Sequence, residues 1–391
     1  MKVNVLRGEN QIGGNIVEIS TEKTKILLDV GLELDDEKNI QKPEINGLFE
    51  FKGYDGVFIS HYHGDHFGLA YDIHKDIPIY MGEQAYKIIK ASDEYKGKST
   101  VSPTGFLKNN ETIVIEDVKI TPYLCDHSAF DSYMLLCEDE SEKVLYTGDF
   151  RDNGRKNYDK LLSQLPKKID TLICEGTTLS RIGYIAETES SLENKAVELF
   201  KSTNAPIFVL QSSMNIDRIV TMYRAAKRTN RIFLEELYMA DITSSVGGSI
   251  PNPDFNDVYA FITTNKRYDG LKKYKNKLGK SQISKKSFVM CIRTSMLRYL
   301  KSLSKMVDFK NGILVYSFWN GYKETEEMKN FLNECEKLGL RIVSIHTSGH
   351  ADMHAIEELI KFVKPNRIIP IHTENAKWFT NLSNNRTEKK K

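Results

Sequence analysis

The sequence predicts an α/β protein built in two parts, on three observations. Short segments rich in Val, Ile, Leu and Tyr, ending at Gly, Asn or Asp, fill roughly the first 180 residues and read as strands between turns. Beyond them, apolar runs and segments with helical spacing alternate, the pattern of a parallel α/β module. At 391 residues the chain exceeds one ordinary core, so two domains are expected, one inserted into the other.

Taken in order, the strand-like segments are NIVEIS, KILLDVG, GVFIS, PIYMG, TIVIEDVKITPY, YMLLCE and KVLYTGD, with EDVKI beside a polar turn as in an antiparallel meander. DTLICEG adds a strand that runs into polar residues. ETESSLENKAVELFKS then has polar capping residues ahead of apolar positions at helical spacing. PIFVLQ, the helical MNIDRIVTMYRAAKRT and RIFLEE follow; GILVYSFW, the charged helix ETEEMKNFLNECEKLG and LRIVSIH continue the alternation. HAIEELIKFVKP reads as a helix and RIIPIHTE as a last strand, with residues 386–391 a frayed basic tail.

Composition excludes several classes. A net charge of +2 gives no overall field for nucleic acid, so any attraction for phosphate is local. No stretch is long and apolar enough to span a bilayer, and MKVNVLRGEN lacks the apolar core of a signal peptide, so no membrane partner is expected. The five cysteines (Cys125, Cys137, Cys174, Cys291, Cys335) form no CxxC pair and read as buried thiols of a cytoplasmic protein.

The chemistry concentrates in ISHYHGDHFG, which places His61, His63, Asp65 and His66 directly after an apolar strand. His61 and His63 alternate with Tyr62 and share one side; the small Gly64 lets the backbone turn, and Asp65 and His66 face the same cavity. Imidazole nitrogen with carboxylate oxygen suits zinc well and manganese acceptably. Further ligands belong at other strand ends, where His127, Asp149 and His372 stand.

HYHGDH followed by His127, by Asp149 in TGD and by the late His372 resembles the metallo-β-lactamase fold in its two-metal form, and Asp29 in ILLDVG resembles the aspartate that braces the ligand loop from behind. The long α/β stretch between Asp149 and His372 is similar to the β-CASP nucleases, with Glu175 in LICEGTT, His350 in HTSGHAD and His372 in IPIHTE matching their three further motifs. Within that branch the chain most resembles ribonuclease J, without the C-terminal domain such proteins generally carry. The resemblance implies an αββα sandwich at 1–180 and 347–385, with the β-CASP domain inserted at 181–346. It implies a metal-dependent ribonuclease acting on single-stranded RNA by two-metal water activation, internally or from a 5′ end, with two Zn²⁺ or alternatively Mn²⁺, and it allows a homodimer. His61, His63 and His127 would hold one ion, Asp65, His66 and His372 the other, and Asp149 would bridge them. Asp65, Asp149, Glu175 and His350 would be the catalytic groups, with His350 the acid and Glu175 keeping it charged. Ser348, Gly349 and His350 would bind a neighbouring phosphate.

The competing expectations are a DNA nuclease of the same fold, disfavoured by His372, a hydrolase of a small ester or thioester, disfavoured by the long insert, and an inactive scaffold, which would lack ligands that this chain retains. His346 reads as packed or supporting, and His74 and His354 as ordinary histidines. The block at 265–286 has nine Lys or Arg, one Asp and two Tyr, fitting either an RNA contact or a solvated surface. QSSMN at 211–215 could hold a phosphate or merely cap a helix.

Overall fold

The computed structural model describes residues 1–34 and 42–380. The basic tail at 386–391, and 381–385 before it, lie outside the described residues. The chain divides into two units, one from Met1–Lys90, Ser99–Ala186 and Gly349–Lys391, the other from Ala91–Lys98 and Glu187–Ser348.

The first unit holds two six-stranded sheets. One runs in sequence order through β1 (Lys2–Arg7), β2 (Ile16–Ser20), β3 (Lys25–Leu28), β4 (Gly56–Phe58), β5 (Ile79–Gly82) and β6 (Gly105–Leu107). The other contains β7 (Ile113–Ile115), β8 (Val118–Cys125), β9 (Ser132–Glu138), β10 (Lys143–Tyr146) and β11 (Thr171–Glu175), and its far edge is the chain's last strand, β18 (Arg367–Ile371), parallel to β11. Alternation explains how both sheets hide one face. Val17, Ile19, Ile26, Leu28 and Phe58 of the first meet Ile120, Tyr133, Leu135, Val144 and Ile173 of the second in one buried cluster. On the opposite face of the second sheet, helices Tyr158–Gln164 and Met353–Val363 bury Leu161, Leu162, Ile356, Leu359 and Ile360. β7 and β8 are joined across Glu116–Asp117 with antiparallel register, the meander expected from EDVKI.

The second unit is a wholly parallel sheet in the order β14-β13-β15-β12-β16-β17, from β12 (Ile207–Leu210), β13 (Ile232–Glu236), β14 (Val258–Phe261), β15 (Phe288–Ile292), β16 (Gly312–Tyr316) and β17 (Leu340–Ser344). Parallel strands covered on both faces need continuous apolar runs, as in IFVL and FVMCI, whose residues are all buried. Helices Glu189–Lys201, Ile216–Arg228 and Glu326–Lys337 form where the sequence predicts them, each capped by a side chain (Thr188, Asn215, Thr325) accepting from a backbone N–H. Asn215 accepts from Arg218 N at 3.1 Å, so the structure gives QSSMN the capping role.

The strand-only reading of the N-terminal part missed the 14-residue helix Glu83–Lys96. Its buried Ala85, Ile88, Ile89 and Ser92 fall at helical spacing, a signal masked by the strands on either side. All five cysteines are free and buried. Among the described residues, no helix is long and apolar enough to cross a membrane.

Candidate metal centre

Four strand ends of the first unit deliver the candidate side chains. β4 leads into His61 and His63, and a single helical turn at Gly64–Phe67 carries Asp65 and His66. β8 ends just before His127, β10 before Asp149, and β18 before His372. The donor atoms of His61, His63 and His127 lie within 4.8 Å of one another, as do those of Asp65, His66 and His372 and those of His61, His66 and Asp149. A fourth such group joins Asp149, Glu175, His350 and His372. Asp149 Oδ2 sits 3.2 Å from His66 Nε2, 3.5 Å from His350 Nδ1, 3.7 Å from His61 Nε2, 3.8 Å from His127 Nε2 and 3.9 Å from His372 Nε2.

Neighbouring hydrogen bonds fix which nitrogen of each ring faces inward. Asp29 accepts from Ser60 N and Ser60 Oγ at 2.7 Å each, from His66 Nδ1 at 2.7 Å and from Tyr146 Oη at 2.6 Å. His66 therefore carries its proton on Nδ1 and turns Nε2 inward. With the Ser60 hydroxyl donating to Asp29, its oxygen accepts from His61 Nδ1 at 3.0 Å, which leaves His61 Nε2 as an acceptor. His127 Nδ1 donates to the Gly349 carbonyl at 2.5 Å, leaving Nε2 at 3.1 Å from His63 Nδ1. The Thr177 hydroxyl donates to Glu175 at 2.7 Å and accepts from His372 Nδ1 at 2.7 Å, so His372 Nε2 faces Asp65 Oδ2 at 3.0 Å. Each of these rings thus turns its inner nitrogen to the centre, held by a partner behind it.

Burial, reinforced by neighbouring rings, holds His61 and His127 well below the ordinary histidine range, and burial brings His63 down to about 4. These three rings are neutral at neutral pH. Asp149 is fully buried, which alone would raise it, but the surrounding His372, His66 and His350 hold it well below the usual carboxylate range. Both of its oxygens, and His61 Nε2, are buried without a hydrogen-bond partner among the described residues. Unsatisfied buried carboxylate oxygens are costly unless something positive meets them. Burial lowers His66, but Asp149 and Asp29 outweigh it and hold the ring well above the ordinary histidine range; hard oxygen and borderline imidazole donors converging here fit a divalent cation that would take the place of that proton.

Two backbone features let the groups crowd. A Cβ at Gly31 would fall 1.7 Å from the Asp65 carbonyl oxygen, so only glycine allows the ligand turn to pack there. Gly148, at φ +51, would place a Cβ 2.8 Å from that of Ser60. The expectation for Gly64 is corrected: it lies in the helical turn with nothing within 4 Å of a built Cβ, so the turn places no demand on glycine there. Asp29 (φ +60) and His372 (φ +53) both adopt left-handed backbone, which non-glycine residues keep only where surrounding bonds enforce it. His372 N donates to Gly8 O at 2.8 Å.

His350 Nδ1 lies 3.2 Å from Glu175 Oε2 and 3.1 Å from Thr177 Oγ1. Burial lowers its pKa, but Glu175 and Asp149 outweigh that and carry it up to about 9. Ser348 is the last residue of the second unit and is buried, whereas Gly349 and His350 belong to the first. His346 also belongs to the second unit. His74 pairs loosely with Asp76 at 3.9 Å, and neither it nor His354 joins a metal-type cluster among the described residues. The sequence reading missed Ser60, Tyr146 and Thr177. Of these, Thr177 alone had a signal, its place two residues after Glu175.

Comparison with known proteins points to the same fold. Residues 10–173 match the metallo-beta-lactamase superfamily, and residues 337–388 match the Zn-dependent metallo-hydrolase RNA specificity domain. The chain is 27% identical to the probable RNase MJ4 of Methanocaldococcus jannaschii, covering 94% of this chain and 91% of that one. It is 22% identical to ribonuclease J of Helicobacter pylori strain B128, covering 96% of this chain but only 56% of that longer relative. The crystal structure of a protein of unknown function from Enterococcus faecalis V583 superposes with a TM-score of 0.81 at 20% identity, covering 96% of this chain and 94% of that one.

Proposed function

On the premise that this chain is a metallo-β-lactamase-fold protein carrying an RNA specificity domain and homologous to ribonuclease J, we propose that it hydrolyses phosphodiester bonds of single-stranded RNA with two divalent ions. One observation carries the reading: Asp149, buried with neither oxygen hydrogen-bonded among the described residues, stands where five imidazoles converge, one of them His350 paired with Glu175. His61, His63 and His127 would hold one ion, Asp65, His66 and His372 the other, and Asp149 both. Two divalent ions there, most suitably Zn²⁺ with Mn²⁺ as the alternative, supply Lewis acidity toward a water and toward the phosphoryl oxygens.

The remaining chemistry falls to the protein. Asp29 holds the His66 ring and, through Ser60, the His61 ring, so that neither turns away when substrate arrives. Glu175 engages His350 at Nδ1 and keeps the ring charged. As water adds to phosphorus and the bond to the 3′ oxygen breaks, His350 Nε2 gives its proton to that oxygen, yielding a 3′ hydroxyl and a 5′ phosphate. Gly349 and Ser348, next to this histidine in the chain, would offer hydrogen bonds to an adjacent phosphate. A cytoplasmic location belongs to the same reading, which also allows a homodimer.

The test uses protein loaded with Zn²⁺ or Mn²⁺ against linear 5′-monophosphate RNA, circular RNA, matched DNA and a thioester, beside Asp65→Ala and His350→Ala. RNA cleavage lost in both variants, with less bound metal only in Asp65→Ala, is the expected result. Cut circles establish internal cleavage, and mononucleotides from linear RNA alone establish stepwise action. Turnover of the thioester or of DNA, with RNA untouched, refutes the proposal.

A further inference from the structure

The loop that follows Asp149 is fastened to the strand end that delivers His127. Residues 151–156, RDNGRK, close around Asp126, a buried carboxylate next to His127 in the chain. Asp126 accepts from Arg151 Nε at 2.5 Å, from Arg155 N at 2.7 Å and from Lys156 N at 2.5 Å. Arg151 N donates to the Asp126 carbonyl at 2.8 Å. A Cβ at Gly154 would lie 1.9 Å from Asp126 Oδ1, so the loop wraps this carboxylate so closely only with glycine there.

Lys156 is the side chain that this clamp sets in place. It is half-buried, with Nζ 5.3 Å from the centre of the Phe130 ring, and it makes no ion pair among the described residues. Phe130 is half-buried too, and it is fixed beside the ligand loop: its backbone N–H donates to the Tyr62 hydroxyl at 2.8 Å. Tyr62 stands between His61 and His63 in the chain, its ring 5.8 Å from that of His63. One cation is therefore positioned from two sides, through the neighbour of His127 and through the neighbour of His61 and His63. Arg151 is different, since its Nε is spent on Asp126. An ammonium resting on a ring face keeps N–H donors for an anion.

We propose that Lys156 is a substrate-binding residue, whose ammonium, held over Phe130, contacts an RNA backbone phosphate near the one being cut, on the side of His63 and His127. The inference rests on the reading of the protein as a ribonuclease and adds a hold on the strand that needs no metal ligand. A contact to the backbone carries no base preference. It releases counterions, so binding weakens with salt, at a logarithmic slope of about −0.7 for one phosphate neutralised on a single strand.

The experiment measures affinity of the metal-loaded protein for short fluorescent 2′-O-methyl RNA oligomers at several salt concentrations. One oligomer has every phosphate, and the others carry a neutral methylphosphonate at each linkage in turn; the proteins are wild type, Lys156→Gln and Lys156→Arg. Lys156→Gln is expected to bind about fivefold or more weakly at low salt, with a slope shallower by about 0.7, and Lys156→Arg to stay within about twofold of wild type. At one linkage the methylphosphonate is expected to cost wild type as much as Lys156→Gln does, and to cost that variant nothing further, because the two changes remove the same contact. Equal losses in wild type and Lys156→Gln at every linkage, or an affinity of Lys156→Gln within about twofold of wild type, overturn the inference and leave Lys156 as packing for Phe130. Bound metal is read on the same samples, and its loss in Lys156→Gln would make the effect structural and sink the inference as well. Wild-type cleavage of ordinary RNA, measured separately, decides the proposed function: the predicted binding pattern without cleavage would keep this contact and remove that function.

Discussion

Replacing Asp149 by alanine removes the carboxylate on which five imidazoles converge. The expected result is a fall in kcat of about a thousandfold or more together with lost metal, read by steady-state kinetics and elemental analysis. Thr177 gives a finer test, because its hydroxyl serves Glu175 and His372 at once. Thr177→Val is expected to cost about 10–100-fold in activity or metal affinity, and Thr177→Ser to restore most of it. His350 makes a pH prediction. Its pKa lies near 9, above the ordinary histidine value, so its proton and the stability of its pair with Glu175 are present at low pH and lost as pH rises through about 9. Activity is expected to fall on that limb, which bound cations would draw downward, and Glu175→Gln should move the limb to lower pH in a kcat profile. The candidate metal-binding groups were legible because HYHGDH crowds chemistry that neither a core nor a surface needs, and Asp149 and His372 follow apolar strands. Ser60 and Tyr146 were not, since a hydroxyl beside apolar residues has no spacing signal and gains its role only when Asp29 is folded against it.

At the scale of elements, β13 carries an unusual burden. Its Glu235 is fully buried, accepting from Thr243 Oγ1 at 2.8 Å, with its other oxygen unpartnered among the described residues. Burial pushes its pKa up to about 8. An acid raised in the fold binds a proton that the unfolded chain has released, so stability falls as pH rises from about 4.5 to about 8 and is flat beyond. Glu235→Gln should therefore raise the melting temperature, with a larger gain at pH 8 than at pH 5, as thermal melts at the two values would show. Several strands and helices of this unit were readable because apolar runs alternate with capped amphipathic segments, as in IFVL followed by the helix that Asn215 caps, whereas β14, β15 and the helices Leu237–Val246 and Leu297–Leu303 went unread. Helix Glu83–Lys96 escaped notice for the opposite reason, being embedded among strands whose pattern dominated its own.

For the whole molecule, removal of metal is the broadest test. Ionised carboxylates buried beside the neutral rings of His61, His63 and His127 gain from a cation between them, and anything bound only by the folded state raises stability. Treatment with a chelator is expected to abolish RNA cleavage and lower the melting temperature by several degrees, with both restored by Zn²⁺ or Mn²⁺; an unchanged melting temperature would contradict a preformed metal centre.

The pairing of β18 with β11 joins Thr171 to Arg367 and Glu175 to Ile371, across almost half the polypeptide. During synthesis, every group from His61 to Glu175 has left the ribosome long before His350 and His372 appear, and a loop that long closes slowly. The candidate centre is therefore complete only once β18 has been made and has docked on β11, which carries the His372 ring in beside Asp65.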